Sequence, residues 1–211
     1  MKIFKMPERV KAILFDMDGT LYTHPEYLRF QIDASVKRLA ALRGLSFEDM
    51  EQKIAAYRTE WASAHNGRQI SLGNVFKAFG VSIEESIRWR EELYEPAEYL
   101  KADPELRKAL LRSRAKLAVV TNNPVLVARK TLEVLGVADC FSAIVGLDTC
   151  LASKPDSAPF LEAVRLCGAP PEECLAVGDR ADLDIAPCLQ LGMGGVLVSG
   201  AEEVYQLLYR F

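Results

Sequence analysis

The sequence predicts an α/β protein: a doubly wound, Rossmann-like parallel sheet with an all-helical unit inserted near its start. Three observations carry this prediction. From about residue 97 onward, short apolar runs of strand length alternate with amphipathic helix-length segments, the pattern of a parallel sheet covered by helices on both faces. One further strand-like run, Val10 to Phe15, stands alone before that region and ends abruptly in a polar turn. Between the two lies a stretch with helix period and no convincing strand. The expected division is therefore a core made of residues 1–21 and 97–211, and a four-helix unit over residues 22–96.

Taken in order, Val10 to Phe15 is the first strand, interrupted only by Lys11. Leu28, Ile32, Val36 and Leu39 share a face of the first inserted helix, which Gly44 ends. Ser46 caps a second helix reaching about Ala64, and the polar loop His65-Asn66-Gly67-Arg68-Gln69 follows. Short helices fit Leu72 to Phe79 and, after the capping box Ser82-Ile83-Glu84-Glu85, Ile87 to Leu93. The core then resumes with a helix from Pro104 capped by Asp103, a strand Leu117 to Thr121, and a helix from Pro124 with Asn123 as its cap. Next come a strand Ser142 to Val145, a helix Ala158 to Cys167, a strand Cys174 to Val177 and a helix Leu183 to Leu191. A strand Gly195 to Val198 and a helix from Ala201 complete the chain.

With 211 residues the chain suits one domain carrying a sizeable insertion. A formal charge of -3 supplies no general basic field for a nucleic acid backbone, so a small molecule is the expected partner, with the protein a monomer or homodimer. Cys140, Cys150, Cys167, Cys174 and Cys188 form no CxxC pair and are odd in number, which suits reduced thiols packed as small core residues. No apolar run is long enough to cross a bilayer, and the N-terminal stretch lacks the features of a secretory leader. The cytoplasm is the expected location, with no membrane partner.

The polar residues that follow the strands carry the chemistry. Asp16 and Asp18 follow the first strand, Thr121 and Asn122 the second, Lys154 comes a little beyond the third, and Asp179 with Asp184 follows the fourth. In doubly wound sheets the ligand site lies beyond the carboxyl ends of the strands, where strand order reverses. With the order 5-4-1-2-3, the first strand lies between the second and fourth, so Asp16, Thr121 and Asp179 meet above one crevice. Each fragment alone has an ordinary reading: Asp-x-Asp-Gly as a turn, Lys154-Pro155 as a loop, Gly178-Asp179 as a bend. Their order and common position after strands set them apart. Three acids, Asp16, Asp18 and Asp179, suit an oxygen-only magnesium site completed by water and a phosphate group. The cation and the Lys154 ammonium together offset carboxylates and phosphate that would otherwise repel.

At these residues the sequence resembles the haloacid dehalogenase superfamily of phosphohydrolases. Asp16-Met17-Asp18-Gly19-Thr20, Thr121, Lys154, and Gly178-Asp179 with Asp184 match its four motifs in order. The helical insertion is similar to the cap of the branch that includes phosphoglycolate phosphatase and beta-phosphoglucomutase, and Tyr99 to Thr121 also resembles pyrimidine 5'-nucleotidase relatives. The resemblance implies hydrolysis of a small phosphorylated metabolite, with Asp16 as nucleophile, Asp18 as acid and base, and Thr121 and Lys154 on the phosphoryl oxygens. It implies Mg2+ held by Asp16, the Asp18 backbone carbonyl and Asp179, with Asp184 as outer support and Asp182 competing for either role. Asp18 favours phosphate ester cleavage over dehalogenation, while Lys53 fits a solvated helix face. Arg58, Trp61, His65, Asn66, Arg68 and Gln69 are the cap residues expected to meet the leaving group, with Arg58, His65 and Arg68 foremost. Transfer of the phosphoryl group to a second sugar hydroxyl, as in a phosphomutase, is the alternative chemistry. A silent phosphometabolite-binding protein is the alternative from another class.

Overall fold

The computed structural model describes every residue except Arg68 and Phe211. Strands β1 (Lys2–Lys5), β2 (Ala12–Phe15), β3 (Lys116–Val120), β4 (Ala143–Val145), β5 (Cys174–Gly178) and β6 (Gly194–Leu197) form one sheet in the order β1-β6-β5-β2-β3-β4. The five strands expected from the sequence take the expected order and run parallel. β1 is an addition, pairing antiparallel with β6 at the edge. Its four residues are all exposed, so it has no apolar face for periodicity to reveal, and its flanking lysines suit a solvated sheet edge.

Side-chain alternation divides the core into two layers. Ile13, Phe15 and Val119 face Leu106, Leu110, Leu132 and Leu207, contributed by α5 (Pro104–Leu110), α6 (Val125–Val134) and α10 (Ala201–Leu208). Ala12, Leu14, Ala118 and Val120 face α8 (Ala158–Cys167) and α9 (Ala186–Gln190) on the other side. Full burial of each Leu, Val or Phe here contributes about 1.5–3 kcal/mol before chain entropy is set against it.

The insertion forms α1 (Pro25–Arg43), α2 (Phe47–Ala64), α3 (Leu72–Ala78) and α4 (Ile83–Leu93). Ser46, Ser71 and Ser82 cap the last three, each accepting from a backbone N–H in the first turn. Because Ser82 is itself the cap, α4 begins at Ile83, one turn before the expected start. Val36, Leu39, Met50, Ile54, Phe76 and Trp89 give these helices an apolar cluster of their own, with Trp61 packed at its margin.

Three departures from expectation bear on the site. α1 turns Tyr27, Gln31, Ser35 and Val36 inward, while Ile32 is 40% exposed. A short helix α7 (Leu147–Cys150) follows β4. The expected helix from Leu183 instead starts as a π-helical turn, Ala181–Ile185, before α9. Among the described residues no helix is long and apolar enough to cross a membrane.

Candidate active site

Register sets the site's position. Phe15 pairs with Val119 on one side and Val177 on the other, so these three residues form one row across β2, β3 and β5, with β3 and β5 each running one residue further. Asp16 therefore emerges one residue past that row, and Thr121 and Asp179 two residues past it. Asp16 keeps its backbone N–H on Val177 O at 2.8 Å, which fixes where its side chain leaves the sheet. Gly19 then turns the chain with φ +84°, a left-handed value that costs glycine little. A Cβ at Gly19 would stand 2.7 Å from Asp179 Oδ2, so the bare backbone here leaves the room that Asp179 occupies.

Lys154 arrives from the loop after α7. Its backbone N–H donates to Asn122 Oδ1 at 2.7 Å, and Asn122 Nδ2 donates back to Lys154 O at 3.3 Å. The Asn122 amide thus holds the lysine loop. The buried ammonium lies 2.5 Å from Asp16 Oδ1 and 2.6 Å from Asp184 Oδ1. Asp184 reaches it because the π-helical turn widens the backbone there and returns Oδ2 to the Arg180 N–H at 3.0 Å. Gly178 makes the space, since a Cβ on it would lie 2.4 Å from Asp184 Cβ. Asp182 points elsewhere, accepting from the Gln69 N–H at 3.3 Å and lying 3.6 Å from Arg180. Of the two acids that sequence left in competition, Asp184 is the one beside Lys154.

Carboxylate oxygens of Asp16, Asp179 and Asp184 all fall within 4.8 Å of one another, an acidic triad suited to a divalent cation. Their electrostatics fit that reading. Burial, reinforced by the charges of Asp16 and Asp184, pushes the Asp179 carboxyl up to about 7. Burial pushes Asp184 up to about 6 against the pull of Lys154. Lys154 is held above its usual range because the two carboxylates outweigh the cost of burying its ammonium. The triad thus carries more negative charge than one ammonium neutralises.

Asp18 lies outside the triad and has donors of its own. Tyr22 and Gln31 donate to Oδ1 at 2.5 and 3.0 Å, and Asn123 Nδ2 donates to Oδ2 at 3.0 Å, with the Thr121 hydroxyl at 3.5 Å. Burial and the Asp18 charge raise Tyr22 well above the usual phenol range, keeping it protonated as a donor. Asn123 is therefore not the cap of α6. Asp148 takes that role, accepting from the Val125 N–H at 2.8 Å. Sequence reasoning missed Tyr22, Gln31 and Asn123 because each has an ordinary local reading as an apolar, helical or capping residue. The available signal was Gln31 itself, a polar residue on the inward face of α1.

A cavity of about 300 Å³ opens above these groups. Its floor includes Asp16, Asp18, Thr121, Lys154 and Asp179, and its roof includes Leu28, Ile32, Ser71, Gly73, Arg90 and Tyr94. Ile32 is exposed because it faces this space. Neither Arg58 nor His65 lines it. Arg58 borders a separate cavity with Ala62, Gly67 and Ile70, while His65 is exposed, stacked on Trp61 with ring centroids 3.9 Å apart. Arg68 falls outside the described residues.

Comparison with known proteins agrees with this arrangement. Residues 10–192 match a family model described as a haloacid dehalogenase-like hydrolase. The chain is 32% identical over 180 residues to phosphoglycolate phosphatase of Aquifex aeolicus, covering 83% of this chain and 78% of that one. It is 31% identical over 182 residues to N-acetylmuramic acid 6-phosphate phosphatase of Pseudomonas aeruginosa, covering 81% and 74%. The fold is similar to the crystal structure of a phosphatase from Thermococcus onnurineus, with TM-score 0.60 and 22% identity over 94% of this chain and 98% of that one.

Proposed function

Because the chain belongs to the haloacid dehalogenase-like hydrolase family, we propose that it is a magnesium-dependent phosphatase cleaving a small-molecule phosphate monoester through a phosphorylated Asp16. The observation that carries this reading is the meeting of Asp16, Lys154, Asp179 and Asp184 at one rim of the sheet, beneath a cavity of small-molecule size. In this reading residues 1–21 and 97–211 form the catalytic core and residues 22–96 a cap that supplies the cavity's roof.

One Asp16 oxygen attacks phosphorus in line, forming a new P–O bond as the bond to the departing alcohol breaks. Lys154 on the other oxygen orients the carboxylate and opposes its protonation. Asp18 protonates the departing oxygen and later takes a proton from the water that hydrolyses the acyl phosphate, returning Asp16 and releasing inorganic phosphate. Tyr22, Gln31 and Asn123 hold Asp18 for both transfers. Thr121 and Lys154 receive the phosphoryl oxygens.

The residues present fit magnesium: the donors are all oxygens, and the raised Asp179 and Asp184 carboxyls mark negative charge in need of a cation. Asp16 and Asp179 would hold it, with the Asp18 carbonyl and with Asp184 as support beside Lys154. When bound, the ion draws charge from the phosphoryl oxygens and relieves their repulsion by the carboxylates.

Phosphate release from p-nitrophenyl phosphate tests the reading. Turnover is expected with magnesium, lost in chelator, recovered on adding the metal back, and absent in Asp16→Asn. Turnover that persists after thorough metal removal contradicts it.

A further inference from the structure

Arg90 sits in the roof of the cavity on α4 with only 5% of its surface exposed. The other cations of the cavity have acids beside them, Lys154 with Asp16 and Asp184, and Arg180 with Asp182. Among the described residues Arg90 has no carboxylate within ion-pair distance. Its Nη1 donates to the Asn122 carbonyl and, at 3.3 Å, to Asn123 Oδ1, while its buried Nε has no partner. A buried guanidinium held only by neutral oxygens is costly, and the missing group is an anion. Gly73 also lines the cavity, and a Cβ there would stand 3.8 Å from Nη2.

We propose that Arg90 binds a carboxylate on the leaving group of the substrate, so that the enzyme prefers small phosphorylated hydroxy acids over neutral phosphate esters of the same size. The proposal rests on the phosphatase reading and adds the substrate class. The Nε–Nη2 edge matches a planar carboxylate with two parallel hydrogen bonds. The position suits a short molecule, because Asn123 alone links Arg90 to Asp18 by side-chain hydrogen bonds. Size points the same way, since a cavity of about 300 Å³ stands at the lower end of the range of small-molecule pockets.

Two matched substrate pairs test this. 2-Phosphoglycolate is set against 2-hydroxyethyl phosphate, and 3-phosphoglycerate against glycerol 3-phosphate, each pair differing by a carboxylate in place of a neutral hydroxymethyl group. The wild-type kcat/KM is expected to favour the acid of at least one pair by about 100-fold or more, the scale of a buried charged hydrogen bond. In Arg90→Gln that ratio collapses toward one, chiefly through KM for the acid, and Arg90→Lys restores part of it. The wild-type ratios and Arg90→Lys decide the matter should Arg90→Gln fail to fold. No preference for either acid in the wild type, or a parallel loss on acid and neutral partners in the variants, overturns the proposal and leaves Arg90 a latch between α4 and the Asn122-Asn123 turn. Hydrolysis of p-nitrophenyl phosphate, which carries no carboxylate, reports the phosphatase reading separately.

Discussion

The acids at the sheet rim are governed by their neighbours' smallest residues. Asp184 stands where a Cβ on Gly178 would intrude to 2.4 Å, so Gly178→Ala must push it off Lys154. We expect that variant to fold, to bind magnesium more weakly and to lose 10- to 100-fold in turnover, the range found when outer partners of a metal site are removed. Metal titration followed by calorimetry, alongside phosphate release, checks this; unchanged metal affinity and turnover contradict it. The triad also predicts a pH dependence. Folded Asp179 and Asp184 titrate near 7 and 6, above the ordinary carboxylate value of 3.8, so below the unfolded value both states are protonated and the folded state suffers nothing. As pH rises from about 4 through 7, the metal-free folded state binds more protons than the unfolded chain, and its stability falls. Magnesium competes with those protons, so its stabilising effect in a thermal melt should grow between pH 6 and pH 8. A magnesium effect that shrinks over that range contradicts the assignment. Asp16, Asp18, Thr121, Lys154 and Asp179 were legible because each follows a strand that sequence reveals. Gln31, Arg90 and Asn123 were not, since their roles depend on which way a helix face or a turn points after the cap has packed over the core.

Among the elements, strongly periodic segments were readable and locally irregular ones were not. α8 occupies the expected residues because an amphipathic stripe ends at Gly168, which takes a left-handed cap. The π-helical turn before α9 hid within a helical pattern, since the contact it serves, Lys154 with Asp184, joins residues 30 apart that no local periodicity connects. β1 gave no signal because neither of its faces is buried. The inserted helices pack around a cluster separate from the two core layers, and this separation has a measurable consequence. Leu39 on α1 is fully buried there, so Leu39→Ala should cost about 2–5 kcal/mol of local stability. Hydrogen exchange should then quicken in α1, α2 and α4 while the amides of β2, β3 and β5 stay protected. Uniform loss of protection across sheet and insertion would mean that the two do not behave as separate units.

At the scale of the whole molecule, the fold joins two distinct tasks. The parallel sheet brings residues from four separate loops to one rim, and the inserted helices close a small cavity above them, with Arg90 of α4 in its lining. In the proposed reading the core carries the chemistry and the inserted helices choose the leaving group, with Asp18 linked to α1 through Gln31 and to the turn after β3 through Asn123. All of it depends on Asp16 carrying the phosphoryl group. The most direct measurement is rapid acid quenching of the magnesium-loaded enzyme during turnover of p-nitrophenyl phosphate, followed by peptide mass mapping. If Asp16 is the nucleophile, the peptide containing it gains the mass of one phosphoryl group, which is chased away with time and is missing in Asp16→Asn. Steady turnover with no phosphorylated species at any quench time, or the modification on a different residue, would contradict it.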